Sequence, residues 1–132
     1  MSLHAPLFPG DLAVRIDADE LPRLHDDLER NGLACIDVVL KGCRDKADLM
    51  ARMAAAMRYP EPPPFGANWD ALADALRDLG WWPADGYALV IDARGFSDHV
   101  HDPLIPPLAD ALRDARAFWQ EQDTAFVPFF LQ

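Results

Sequence analysis

LACIDVVL, residues 33–40, is a mostly apolar run held between Gly32 and Gly42, and it reads as a buried strand. Toward the C-terminus, Asp45 or Asp48 opens a helix whose apolar stripe is Leu49, Met50, Met53, Ala54 and Met57. Toward the N-terminus, Asn31-Gly32 stops a helix that carries Leu21, Leu24 and Leu28 and that Asp19 can cap. LAVRI, residues 12–16, precedes that helix as a short candidate strand. The same alternation continues downstream. YPEPPPFGA, 59–67, cannot be helical, because its prolines remove donors and fix φ. Asn68 then caps a helix, WDALADALRDL, that Gly80 is expected to end. YALVIDA, 87–93, reads as a second buried strand, and GFSDHVHDP as a polar connection. Pro106 and Pro107 fit the first turn of a helix reaching about Gln120. AFVPFFL, 125–131, closes the chain as a strand in which Pro128 is tolerated only at an edge or a bulge. Strands alternating with helices predict an α/β fold, with a three- or four-stranded, mainly parallel sheet flanked by helices.

The size and charge of the chain narrow its chemistry. Its 132 residues, 51% of them hydrophobic, suit one domain with a modest core, so 1–132 is read as a single domain. Twelve Lys and Arg against 22 Asp and Glu give a net charge of −10. A surface of that sign repels phosphate, which argues against nucleic acid and against an anionic membrane as partners. A basic protein is the electrostatic partner left open. No apolar run approaches the roughly 18–20 residues of a membrane-spanning helix. MSLHAPLFPGDLAV lacks the basic start and apolar stretch of a signal peptide, so the expected location is cytoplasmic. Cys35 and Cys43 lie too far apart along a strand for a disulfide and have no metal-ligand spacing, which suggests two free thiols.

PPPFGANWDALADALRDLGWW, 62–82, is the most informative stretch for function. On the helix from Asn68, residues Leu72, Ala75, Leu76 and Leu79 fall at inward spacing. Asp70, Asp74 and Asp78 fall at i, i+4 and i+8, an outward acidic stripe with only Arg77 beside it as a neutraliser. Such a stripe is either a solvated helix face or a surface that meets a basic partner. Beside it lies a stiff, proline-rich loop with an aromatic, Phe65, and a flexible Gly66. A preorganised loop loses little entropy on docking, and aromatics make good interface anchors.

Catalytic and metal chemistry find less support. His99 and His101 with Asp98 and Asp102 are the one cluster resembling a metal or hydrolase site, but no third His and no E-x-x-H element accompanies them. Their expected state is a solvated loop; a small metal-dependent hydrolase using His99, His101 and Asp102 is the remote alternative. His25 reads as helix surface. Ser2 and Ser97 sit in no nucleophile elbow, Cys35 and Cys43 flank an apolar strand, and no glycine-rich phosphate loop is present. No enzyme activity, cofactor or metal is expected.

The run FGANWDALADALRDL, followed by WWPADGYALVIDA, resembles the barstar family of ribonuclease inhibitors. The pattern F/Y-G-x-N-hydrophobic-D-A-L-x-D-x-L is met from Phe65 to Leu76, and the resemblance extends over about residues 33–131. Residues 1–32 then form an N-terminal extension with room for an additional strand and helix. The resemblance implies inhibition of a small guanyl-specific ribonuclease of the barnase type, the helix and preceding loop plugging its active site. It further implies that Asp74 takes the place of a substrate phosphate and that Asp70 contacts the basic rim. Asn68 and Trp69 match interface positions at the helix start, Phe65 and Gly66 match the covering loop, and Asp114 is a weaker match. Ala73 stands where better-known members carry an aromatic, Pro64-Phe65 where tyrosines are familiar, and Asp78 where a small residue is common. An immunity or binding module directed at a different basic nuclease or toxin is the alternative reading.

Overall fold

The computed structural model describes residues 12, 14–60, 68–95 and 98–131, with the side chains of 98–102 excluded. Strand β1 (Val14–Ile16) leads through a 3₁₀ turn (Ala18–Glu20) into α1 (Leu21–Arg30). Then follow β2 (Leu33–Val39), α2 (Lys46–Ala56), α3 (Trp69–Leu76), β3 (Gly86–Asp92), α4 (Asp98–Glu121) and β4 (Ala125–Leu131). The four strands form one all-parallel sheet in the order β1-β4-β3-β2. The expectation of an α/β fold with a three- or four-stranded, mainly parallel sheet holds: the strands are four and all parallel.

Side-chain alternation along the strands sorts the core onto two faces. Ile36, Val38, Leu89, Ile91, Phe126 and Phe130 join the buried faces of α2, α3 and α4 in the main core. Ile16, Val90 and Leu131 form a smaller cluster on the other face, covered by Leu21 and Leu24 of α1. The outermost strand β2 therefore is not buried on both sides as expected. Its residues alternate between buried and accessible, because α1 covers its second face only in part, and Val39 stays 55% exposed. Pairing of β2 with β3 and of β3 with β4 is continuous over seven residues each.

Several element boundaries are set by residues other than those expected. Asp17, not Asp19, precedes the first helical turn, its N–H donating to the Glu20 carboxylate at 3.1 Å and its backbone carbonyl accepting the Glu20 N–H at 3.0 Å. Of the two residues expected to open α2, Asp45 is the cap, its carboxylate accepting the Asp48 N–H at 2.9 Å. The segment from Asp98, expected to be a loop, is the start of α4, and Pro103, Pro106 and Pro107 all lie within it. Each proline forfeits one i→i−4 hydrogen bond, but all three fall in the helix's first ten residues and their fixed φ is helical. Pro128 sits in an interior strand. The Leu131 carbonyl accepts from Ala93 on the β3 side, so by alternation Pro128 turns its missing N–H toward β1. Among the described residues the ladder with β1 runs from Phe129 to Leu131, and Pro128 precedes it.

Candidate functional site

Helix α3 is only eight residues long, too short to persist alone, yet it is fastened at both ends. At its start the Asn68 side chain accepts the Asp70 N–H at 2.8 Å, and Asp70 adds a negative charge near the positive end of the helix dipole. Leu72 and Leu76, one turn apart, are completely buried and fix which face points inward. At the C-terminal end the Trp119 indole N–H of α4 donates to the Leu76 carbonyl at 2.9 Å, satisfying a group the helix itself leaves open. The chain then turns on Leu79 rather than on the expected Gly80. Leu79 has φ +51° and is completely buried, so the hydrophobic gain of that side chain holds a conformation costing an L-residue about 1–2 kcal/mol. The turn is closed by the Trp82 N–H to the Leu79 carbonyl at 3.0 Å, and the Tyr87 hydroxyl donates to the Trp82 carbonyl at 2.8 Å.

This scaffold places Asp70, Asp74 and Asp78 on the surface. Asp70 and Asp74 belong to α3, whereas Asp78 lies beyond its end, in the turn. The three therefore are not one continuous helical stripe: α3 stops three residues before the sequence pattern does. Asp78 accepts the Gly80 N–H at 3.2 Å, which fixes its carboxylate in the turn. Asp74 is 73% exposed and ion-paired with Arg77. Asp74 and Asp78 line a cleft of about 340 Å³ together with Tyr59, Pro60 and Trp81. The Tyr59 and Trp81 rings meet edge to face at 5.2 Å, and the Trp81 N–H donates to the Met57 carbonyl at 2.9 Å, so the aromatic wall is anchored to the end of α2.

The other expected residues separate. Asn68 is occupied as the cap, and Trp69 packs partly against the core with Lys46 5.8 Å above its ring. Asp114 is exposed on α4 and is not part of the cleft lining. Phe65 and Gly66 lie outside the described residues, as do the side chains of His99, His101 and Asp102.

One arrangement was not anticipated. His25, taken for helix surface, brings Nε2 to 2.9 Å from Asp37 Oδ1, and the Cys35 thiol donates to Asp37 Oδ2 at 3.4 Å. The alternation Cys35-x-Asp37 on one strand was the available signal, since i and i+2 share a face. Both cysteines are free. Burial, reinforced by the Asp37 charge, pushes the Cys35 thiol up to about 12, and burial likewise raises Cys43. Neither supplies a thiolate nucleophile near neutral pH. Among the described residues no helix is long and apolar enough to cross a membrane.

Fold and site together define a small parallel α/β protein that carries an acidic helix pinned at both ends. The family model described as Barstar (barnase inhibitor) matches residues 33–131, about three quarters of the chain, and the protein belongs to the barstar family. That is a family of inhibitors rather than enzymes. Comparison with curated proteins and with solved structures gave no match.

Proposed function

We propose that this protein inhibits a barnase-type, guanyl-specific ribonuclease by laying α3 and the adjoining 61–67 segment across its active site. Asp74 acts as the central anion, taking the position of a substrate phosphate among the enzyme's cationic groups. Asp70 and Asp78 extend the negative surface to either side, Phe65, Gly66, Asn68 and Trp69 complete the contact, and Asp114 adds to its rim. The whole chain works as one domain in the cytoplasm of its producer, without cofactor or catalysis of its own.

The observation that carries this reading is Asp74, 73% exposed on a helix whose two ends are tied down by Asn68 and Trp119. An anion held in place loses little freedom when a cationic site closes on it. Ribonucleases bind a polyanion and are correspondingly basic, so a partner charged at −10 is also steered toward them.

The test is inhibition of a purified barnase-type ribonuclease, measured at low and high salt. The expected outcome is stoichiometric inhibition that weakens with salt and is lost in Asp74→Ala. Tight binding to another basic nuclease, with the guanyl-specific enzyme unaffected, would move the reading to the immunity alternative.

A further inference from the structure

The sheet face under α1 carries a second cluster of chemistry, away from the carboxylates of α3. Cys35 and Asp37 project from β2 on the same side as α1, and His25 of α1 reaches across to them. Nε2, Sγ and a carboxylate oxygen all lie within 4.8 Å of one another. We propose that His25, Cys35 and Asp37 form a binding site for a divalent zinc-like cation.

The geometry is close to what such an ion requires. Zinc takes sulfur at about 2.3 Å and nitrogen or oxygen at about 2.0–2.1 Å, so neighbouring ligands of a tetrahedron stand roughly 3.3–3.6 Å apart. The thiol stands 3.4 Å from Asp37 Oδ2 and the imidazole 2.9 Å from Oδ1, so the two meet different oxygens of one carboxylate, and the imidazole contact needs to open by a few tenths of an ångström as the carboxylate turns one oxygen to the ion. His25 and Asp37 are 40% and 48% exposed, so both side chains have room for that adjustment. Thiolate, imidazole and carboxylate together favour zinc, cobalt or copper over magnesium and calcium, which prefer oxygen alone.

Three protein ligands leave a fourth position. It faces an open cleft of about 570 Å³ lined by all three residues and by Glu29, one turn beyond His25 on α1. Water can fill that position from the cleft, with the Glu29 carboxylate on the same wall as an acceptor. On binding, the Cys35 thiol gives its proton to solvent as the metal–sulfur bond forms; the ion itself drives that deprotonation. The Nε2–carboxylate contact is replaced by two bonds to the metal.

The site also has a structural consequence. Cys35 and Asp37 fall inside the family-matched region and His25 outside it. A bound ion therefore clips α1, which the N-terminal segment contributes, to the outer strand of the sheet. Because the ion would bind the folded chain and not the unfolded one, it raises thermal stability by mass action.

Cobalt(II) titration of the chelator-treated full chain tests this directly. The expected result is saturation at one equivalent, with a thiolate-to-cobalt charge-transfer band and the strong visible bands of a tetrahedral ion. Zinc should bleach those bands and raise the unfolding temperature. Cys35→Ala and Cys35→Ser should lose the charge-transfer band, and His25→Ala or Asp37→Asn should weaken cobalt binding by more than about tenfold, since even outer-shell changes cost that much. Cys43→Ala should bind as the parent does. His25 and Asp37 are accessible side chains, so their variants keep the test valid if a Cys35 variant fails to fold; circular dichroism reads that. Absence of the band in the parent chain, its survival in Cys35→Ala, or unchanged affinity in both His25→Ala and Asp37→Asn overturns the proposal.

Discussion

Replacing Arg77 by alanine separates two roles that an acidic helix can have. In the free protein Arg77 is paired with Asp74, with 37% of the Arg77 side chain and 73% of the Asp74 side chain exposed. An accessible i,i+3 pair of this kind contributes about 0.3–0.5 kcal/mol. If Asp74 is the anion that a ribonuclease grips, Arg77 competes with the enzyme's cations for it. Arg77→Ala then tightens inhibition by up to that amount, about twofold, and costs the free protein no more than the same amount in stability. It also takes the net charge from −10 to −11, which raises the association rate slightly at low salt. Asp74→Ala acts in the opposite sense. It leaves cationic groups of the enzyme buried without a partner, for which about 2–5 kcal/mol is the usual cost, or roughly 30- to 5,000-fold in affinity. The assay is the inhibition constant of both variants and the double variant against a purified barnase-type enzyme, with chemical denaturation of each free protein alongside. Inhibition by Asp74→Ala equal to that of the parent refutes the reasoning. So does a tenfold loss in Arg77→Ala, which would make the guanidinium, not the carboxylate, the contact.

Three further outcomes follow from the scaffold. Trp119→Phe keeps an aromatic ring but removes the pyrrole half of the indole with the N–H that satisfies the Leu76 carbonyl; an orphaned carbonyl costs about 1–3 kcal/mol, to which the lost packing adds, read as a lower urea midpoint, while Trp119→Phe with no loss would mean that water replaces the indole. Gly32→Ala should lower stability by at least about 1 kcal/mol in the same assay, because Gly32 has φ +74° and an added Cβ would stand 2.5 Å from an Asp85 carboxylate oxygen. Asp48 is held below its ordinary value of 3.8 chiefly by the Arg52 guanidinium, with the Arg44 N–H adding to it. A depressed carboxyl stabilises the fold above its unfolded value and loses that contribution as pH falls through its folded one. Asp48→Asn should therefore be less stable than the parent at about pH 6 and show a shallower decline below about pH 4; parallel acid limbs would contradict the assignment.

The residues that made the fold legible are those whose pattern is local. The apolar runs of β2, β3 and β4 and the stripe Leu49, Met50, Met53, Ala54, Met57 were readable because period and burial coincide, and that entire stripe is buried. What misled was chain punctuation. Gly80 looked like the helix stop because glycine is the usual left-handed residue, but the buried site beneath α3 takes Leu79 into that conformation instead. The run SDHVHDP looked like a loop because proline and polar residues cluster there, yet it begins the longest helix. The site divides in the same way. Asp70 and Asp74 were legible from helical spacing, and Asp78's place in a turn was not, because it depends on where α3 ends. The partnership of His25 with Cys35 and Asp37 was not visible either. It joins side chains on two elements, and only the packing of α1 on the sheet decides which residue of that helix meets which residue of β2.

On the proposed reading, these two kinds of residue divide α3 between folding and recognition. Its inner face is Leu72, Ala75 and Leu76, all buried, and its ends are held by Asn68 and by Trp119 from another helix. Its outer face carries charge that the core does not use: Asp70 assists the helix start through the dipole by a few tenths of a kcal/mol, and the Asp74–Arg77 pair is a weak surface contact. Like charges spaced one turn apart cost an isolated helix a few tenths of a kcal/mol, which the anchored inner face readily offsets. Substitution on the outer face should leave denaturation curves within about 0.5 kcal/mol of the parent while changing affinity by orders of magnitude. Substitution of Leu72 or Leu76 by alanine should instead cost about 2–5 kcal/mol of stability, and weaken inhibition only as far as the unfolded fraction grows.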